Sequence, residues 1–138
     1  MERIFVDTDV CLDLLTGRQP HNIFAAQLFS LADLKQLELC VSSLTFSNLN
    51  YILSRQYSQA DSRKILLKFR TLVTVLAVSE KTVESALLSD FKDFEDGLQH
   101  QTALEFGIET IITRNLKHYK RADTVVMTAE QYLFARNS

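Results

Sequence analysis

Glycine and proline are scarce in this chain, which has three glycines and one proline among 138 residues. Because these residues are the strongest markers of turns and loops, their scarcity predicts short connections and no flexible linker. The sequence also lacks repeats and low-complexity segments. We therefore expect one domain over residues 1–138, a length that can bury a core without disulfides or structural metals.

Cysteine is equally sparse, and no Cys-X-X-Cys motif or Cys/His cluster is present. The two cysteines, Cys11 and Cys40, each lie within an apolar run, which is typical of buried free thiols in a reducing compartment. No apolar run approaches the ~20 residues of a membrane-spanning helix, and no basic segment precedes a long apolar stretch. The expected protein is cytoplasmic and has no membrane partner.

Net charge is small as well. The chain has 15 basic and 17 acidic residues, which give a formal charge of -2. Such a balance provides no global attraction to nucleic acid. Any contact with RNA must therefore come from a local basic surface.

Short apolar runs rich in Val, Ile and Thr alternate with longer segments of helical periodicity. The runs predict strands at 3–6, 39–42, 73–78, 110–113 and 124–127. Helices are predicted over 21–36, 45–57, 60–71, 80–90, 94–106 and 129–136, with Ser79 and Thr128 as N-caps. The strands are apolar throughout rather than alternating, which favours a parallel sheet covered on both faces. The alternation predicts an α/β fold.

Polar residues follow these strands, where ligands bind in an open parallel sheet. Asp7 ends the first strand, and a further acidic segment precedes the fourth. The remaining candidates are Ser42, Ser43, Thr45 and Asn48 after the second strand, and Thr113, Arg114 and Asn115 after the fourth.

The segment IFVDTDVCLDLL, residues 4–15, places Asp7, Asp9 and Asp13 beside residues that are expected to be buried. A buried carboxylate must be solvated, hydrogen-bonded, ion-paired or metal-bound, because otherwise it takes up a proton. Carboxylates that share a site repel each other unless a cation lies between them. Mg²⁺ suits such a site, since it takes one or two carboxylates together with waters and phosphate oxygens. A bound metal would support phosphodiester hydrolysis.

Simpler roles stay open at this stage. Asp7 and Asp9 suit the end of a strand and the cap of the next helix. The stripe of Asp93, Asp96 and His100 suits a solvated helix face. Residues 113–115 suit an ordinary turn.

Four segments in order resemble blocks of the PIN-domain family of metal-dependent ribonucleases, which includes the toxins of bacterial VapBC-type toxin–antitoxin pairs. They are IFVDTDVCLDLL, VSSLTFSNLNYIL, DFKDFEDGLQHQTALEFGIETIITRNLKHY and TAEQYL, which together span essentially the whole chain. The resemblance implies a three-layer α/β/α sandwich with a five-stranded parallel sheet. It also implies a ring of acidic residues that holds Mg²⁺ or Mn²⁺.

By this resemblance, Asp7 and Asp96 are the metal-binding acids, and Asn115 is a catalytic position where the family has Asp or Asn. Asn48 departs from the pattern, because many members carry Glu at this place. Asp9 stands where the family usually has Asn. Asp9 and Asp93 are therefore additional candidate ligands, whereas Glu95 projects away from Asp96 around the helix.

Other residues are candidates for contacts with substrate or water. Ser43, Thr45 and Thr113 could orient substrate, or could serve only as caps and turns. Arg114, Lys117, Lys120 and Arg121 form a basic cluster in which Tyr119 could stack on an unpaired base, although a solvated turn is the alternative. His100 and His118 are candidate phosphate contacts, His21 is expected at the surface, and Asp13 is expected to be solvated or ion-paired.

The implied function is that of an endoribonuclease toxin, with a small antitoxin bound in a groove between the early helices. One alternative is a PIN-fold module that binds RNA or protein through a depleted metal site. Another is a nuclease for single-stranded DNA or structured RNA without an antitoxin. The apolar surplus in IFAAQLFSLADL and LNYIL predicts a homodimer, as does the resemblance.

Overall fold

A computed structural model describes all 138 residues and contains five strands in one sheet. The strands are β1 (Arg3–Val6), β2 (Glu38–Ser42), β3 (Thr74–Leu76), β4 (Thr110–Ile112) and β5 (Val125–Met127). Their order is β3-β2-β1-β4-β5, and every neighbouring pair is parallel. The predicted parallel sheet is confirmed, although β3 is shorter than the predicted run.

Seven α-helices flank the sheet. They are α1 (Thr8–Thr16), α2 (Asn22–Asp33), α3 (Ser43–Gln56), α4 (Gln59–Arg70), α5 (Glu80–Leu87), α6 (Phe94–Glu105) and α7 (Ala129–Arg136), and a 3₁₀ helix spans Leu116–Tyr119. Six of these correspond to predicted helices. No helix is both long and apolar enough to cross a membrane.

The predicted helix ranges do not include α1, although Asp7 and Asp9 suit the cap of a helix that follows β1. Four consecutive residues of this helix, Val10 to Asp13, are buried, so it lacks the separate exposed polar face that marks an amphipathic helix, although Asp13 is charged. Asp7 begins the helix, because its carboxylate accepts a hydrogen bond from the backbone N–H of Thr8. The predicted N-caps Ser79 and Thr128 are confirmed, and Thr128 forms a capping box with Gln131.

The hydrophobic core has one layer on each face of the sheet. In β1, Ile4 and Val6 belong to the larger cluster, which includes residues of α1–α4 and α7, whereas Phe5 belongs to the smaller cluster with Ala103 of α6. Burial on both faces explains why the strands are apolar throughout. The two cysteines are buried free thiols, as predicted.

The strand order indicates where on the sheet a ligand can bind. The neighbours of β1 are β2 on one side and β4 on the other, so the direction of winding reverses between β1 and β4. Val6 pairs with Ile112, and the next residues, Asp7 and Thr113, therefore emerge side by side. This point beyond the carboxyl ends of the strands is where open α/β sheets bind ligands.

Candidate active site

A cleft of about 410 Å³ lies at the edge where β1 and β4 end, and we call it the acidic cleft. Five acidic residues line it. It brings together six predicted site residues from separate parts of the chain: Asp7, Asp9, Asn48, Asp93, Asp96 and Asn115. Glu95, Gln99, His118 and Tyr51 also line the cleft.

Asp7 is the best anchored carboxylate of the cleft. Its Oδ1 accepts a hydrogen bond from Thr8 N at 2.8 Å, and its Oδ2 accepts from Thr113 Oγ1 at 2.9 Å and Tyr119 Oη at 3.2 Å. Burial raises the pKa of Asp7, although these hydrogen bonds act in the opposite direction. Burial and the charge of Asp7 also raise the pKa of Tyr119, so the phenol keeps its proton and remains a donor.

Asp9 lies in the first turn of α1 and is held by the turn that follows β4. Its Oδ2 accepts hydrogen bonds from Arg114 N at 3.0 Å and Asn115 Nδ2 at 3.1 Å. Its Oδ1 is buried and has no partner. Burial, followed by the charge of Asp7, raises the pKa of Asp9 to about 7, so this group exchanges its proton near neutral pH.

Asp96 reaches the cleft from the first turn of α6, which Asp93 caps by accepting a hydrogen bond from Asp96 N at 3.0 Å. Burial and the charges of Asp7 and Asp93 raise the pKa of Asp96 to about 6, while His118 lowers it. His118 Nδ1 lies 3.0 Å from Asp96 Oδ2 as an ion-pair contact, but no donor is aligned for a hydrogen bond to this oxygen. Asp7 thus disfavours the ionised forms of both Asp9 and Asp96.

These features fit a hard divalent cation. Asp9 Oδ1 is a buried oxygen without a hydrogen-bond donor, and such an atom needs a proton or a cation. The buried Asp96 Oδ2 has His118 Nδ1 at 3.0 Å as its contact. The nearby ligands are carboxylate and amide oxygens, which suit Mg²⁺ and Mn²⁺. No three His, Cys, Asp or Glu side chains form a ready-made metal cage, so waters or phosphate oxygens would complete the coordination.

Gln99 is a cleft residue that the sequence analysis missed. It belongs to a buried network in which Ser42 Oγ donates to Gln99 Oε1 at 2.6 Å and Gln99 Nε2 donates to Thr45 Oγ1 at 3.0 Å. Thr45 therefore has a structural role that ties α3 to α6. The available signal was the spacing of Gln99, three residues after Asp96 on the same helix.

Two predicted contacts with RNA are wrong. Tyr119 is 3% exposed and bonded to Asp7, so it cannot stack on a base. His100 is also buried, with Nε2 accepting a hydrogen bond from Asp123 N at 3.0 Å and its ring stacked on Phe91. Both rings pack at the sheet edge instead of facing solvent.

Arg114 lies behind the acidic cleft rather than in it. Its Nε donates to Asp13 Oδ2 at 2.7 Å, and the Asp13 side chain is only 2% exposed. Both residues line a separate pocket beside Pro20 and His21. Asp13 is thus ion-paired, and Arg114 reaches the site only through its backbone N–H, which contacts Asp9. Lys117 is exposed on the 3₁₀ helix.

Residues 3–117 match the family model described as PIN domain. The chain therefore belongs to the PIN-domain family. Its sequence is similar to Ribonuclease VapC1 from Aquifex aeolicus (strain VF5), with 27% identity over 139 residues that cover 95% of this chain and 93% of that protein.

Solved structures show the same fold. VapBC2 from Rickettsia felis, bound to a DNA fragment from its promoter, matches with a TM-score of 0.69 and 18% identity, covering 91% of this chain and 96% of that one. A toxin–antitoxin complex from Klebsiella pneumoniae matches with a TM-score of 0.67 and 21% identity, covering 91% and 97%.

Proposed function

We propose that this protein, a single PIN domain over residues 1–138, is a metal-dependent endoribonuclease and the toxin of a toxin–antitoxin pair. The observation that carries this proposal is the acidic cleft, where Asp7, Asp9 and Asp96 have raised pKa values. Its relative's name, Ribonuclease VapC1, supports RNA as substrate. The Klebsiella pneumoniae complex supports an antitoxin partner.

Asp7 and Asp96 would hold Mg²⁺ or Mn²⁺, with Asp9 and Asp93 as additional ligands. When bound, such an ion activates a water molecule and stabilises the leaving oxygen of a phosphodiester. Thr113 and Tyr119 fix the position of the Asp7 carboxylate through their hydrogen bonds. Asn115 acts in the same way on Asp9.

The protons on Asp9 and Asp96 also matter. With pKa values of about 7 and about 6, both carboxyl groups are partly protonated near neutral pH in the metal-free protein. Because a metal binds the carboxylate form, binding displaces these protons. Metal affinity should therefore rise as pH rises through this range.

Neutralisation of either main acid tests the proposal. In Asp7→Asn and Asp96→Asn, we expect Mg²⁺-dependent cleavage of a labelled single-stranded RNA to fall by at least about 100-fold. Stability in EDTA should be unchanged or higher for Asp96→Asn, because the raised pKa shows that its ionised form is disfavoured.

Asp90→Asn is the matched control, since Asp90 is an exposed acid that does not line the cleft. It should cleave RNA like the unmodified protein. Undiminished metal-dependent cleavage by Asp96→Asn would show that this carboxylate is not a ligand.

The partners follow from the same proposal. We infer a small antitoxin, a homodimer, and action in the cytoplasm, where the two free thiols stay reduced. Co-purification with the product of a neighbouring short reading frame tests the antitoxin. Light scattering that shows only the 15.8 kDa monomer at high concentration would contradict the homodimer.

A second candidate function is a PIN-fold module that binds RNA or protein but turns over slowly. Asn48 favours it, because this neutral side chain lines the cleft where many family members carry a Glu. A metal titration separates the two functions.

A further inference from the structure

Tyr51 is an exposed aromatic residue at the acidic cleft. It lies on α3, one turn after Asn48, and it lines the cleft although 63% of its surface is exposed. A tyrosine that is mostly exposed contributes little to the core, so packing does not explain its presence beside the carboxylates. Exposed aromatic rings next to polar clefts are suited to stacking on planar ligands.

Arg55 holds the Tyr51 ring in place. Its Nη1 donates a hydrogen bond to Tyr51 Oη at 2.9 Å, and its guanidinium carbon lies 5.4 Å from the ring centroid. This contact combines a hydrogen bond with a cation–π interaction, which orders two exposed side chains before any ligand arrives.

Arg55 also has no acidic partner. The four ion pairs of the chain all involve other residues. Arg55 does not itself line the acidic cleft, but its hydrogen bond to Tyr51 places an unpaired cation at the side of the cleft where Tyr51 lies. Such a cation attracts phosphate locally.

We propose that Tyr51 and Arg55 form a subsite for one unpaired nucleotide of single-stranded RNA, with the Tyr51 ring stacked on the base and Arg55 in contact with a phosphate. The proposal rests on the proposed ribonuclease function for its substrate class. Any of the four bases can stack on the Tyr51 ring, because each has a flat aromatic face. The base must be unpaired, however, since a base within a duplex is already stacked on its neighbours. The subsite therefore selects single strands and loops over duplex RNA.

Binding of a fluorescein-labelled single-stranded RNA decamer, measured by anisotropy in EDTA, tests the subsite without turnover. Tyr51→Leu should weaken binding roughly tenfold, the effect of losing one base–aromatic stack. Tyr51→Phe should bind within about twofold of the unmodified protein, since it keeps the ring. Arg55→Gln should weaken binding and reduce the salt slope by about 0.7.

Tyr57→Leu is the control, because Tyr57 is 40% exposed at the end of the same helix and does not line the cleft. Its RNA binding should be unchanged. Equal losses of RNA affinity in Tyr51→Leu and Tyr57→Leu, or no loss in Tyr51→Leu, would overturn the subsite. The proposed function would still stand in that case, provided that the unmodified protein binds RNA. If Tyr51→Leu binds RNA normally but no longer co-purifies with the antitoxin, or no longer forms a homodimer in light scattering, the surface is a protein interface and the subsite is wrong. If the unmodified protein binds no RNA in this assay, the subsite is wrong, whereas the proposed ribonuclease function is decided separately by Mg²⁺-dependent cleavage.

Discussion

Among the single residues of the site, Arg114 is the one that ties the turn after β4 to the buried part of α1. Its backbone N–H donates to Asp9 and its Nε donates to Asp13, and these two acids lie one turn apart on α1. The turn after β4 is thus held to one helix at two points. Because the side chain lies outside the acidic cleft, we infer that Arg114 is a positioning residue rather than a catalytic one.

The two sides of this ion pair differ in exposure, which predicts unequal effects of substitution. Arg114→Met leaves the buried Asp13 carboxylate without a partner and should cost about 3–5 kcal/mol of unfolding free energy. Asp13→Asn leaves a partly exposed guanidinium and should cost less, about 1–3 kcal/mol. Urea unfolding in EDTA measures both, and the double variant should recover part of the loss. A loss below about 1 kcal/mol for Arg114→Met would contradict the role of the pair.

Asn48 is where the site differs most from the family pattern. A carboxylate here would add negative charge to a cleft that already contains five acidic residues. Asn48→Glu should therefore tighten Mg²⁺ binding and raise cleavage at low metal concentration, while it lowers the stability of the metal-free protein through repulsion. Calorimetry measures the Mg²⁺ affinity of both proteins, and RNA cleavage is followed as a function of metal concentration. If neither the affinity nor the cleavage rate changes, Asp9 or Asp93 already completes the ligand set.

At the scale of elements, local sequence patterns predicted most of the fold. The strands were recognisable from apolar runs, and helices such as α5 and α7 from their periodicity and their caps Ser79 and Thr128. The exception was α1, whose polar residue Asp13 is buried among Val10, Cys11 and Leu12 rather than exposed on a polar face. Asp7 and Asn115, which line the acidic cleft, were predicted from their positions after strands, and Asp96 was predicted from the family pattern.

The rest of the site depends on contacts between distant parts of the chain. Tyr119 bonds to Asp7 across 112 residues, and nothing in the local sequence distinguishes this tyrosine from an exposed one. Tyr51 is the reverse case, since its exposure follows from how α3 is rotated against its neighbours. Gln99 joins Ser42 across 57 residues in the same way. Such partners emerge only once the elements are packed.

At the scale of the whole molecule, the raised pKa values predict how stability depends on pH. A carboxyl group with a raised pKa binds its proton more tightly in the folded state, so its contribution falls as pH rises from the unfolded value toward the folded one. For Asp9, with a pKa of about 7 against 3.8, the metal-free protein should lose about 3 kcal/mol between pH 5 and pH 8. His100 opposes this trend, because burial lowers its pKa.

A comparison of two variants isolates the contribution of Asp9 to the pH dependence of stability. Asp9→Asn should flatten the pH dependence of the urea midpoint in EDTA, whereas Asp90→Asn should leave it unchanged, because Asp90 is exposed. Parallel pH profiles for Asp9→Asn and the unmodified protein would show that Asp9 ionises normally.

The hydrogen bonds that hold the acidic cleft together also make it readable by spectroscopy. Thr8 N donates to Asp7, Arg114 N to Asp9, and Asp96 N to Asp93, so three backbone amides each end on a different carboxylate. An amide resonance shifts when its acceptor gains or loses charge. Three peaks in one nitrogen–proton correlation spectrum would therefore follow three carboxylates separately, and would show the order in which they respond as acid, metal or RNA is added.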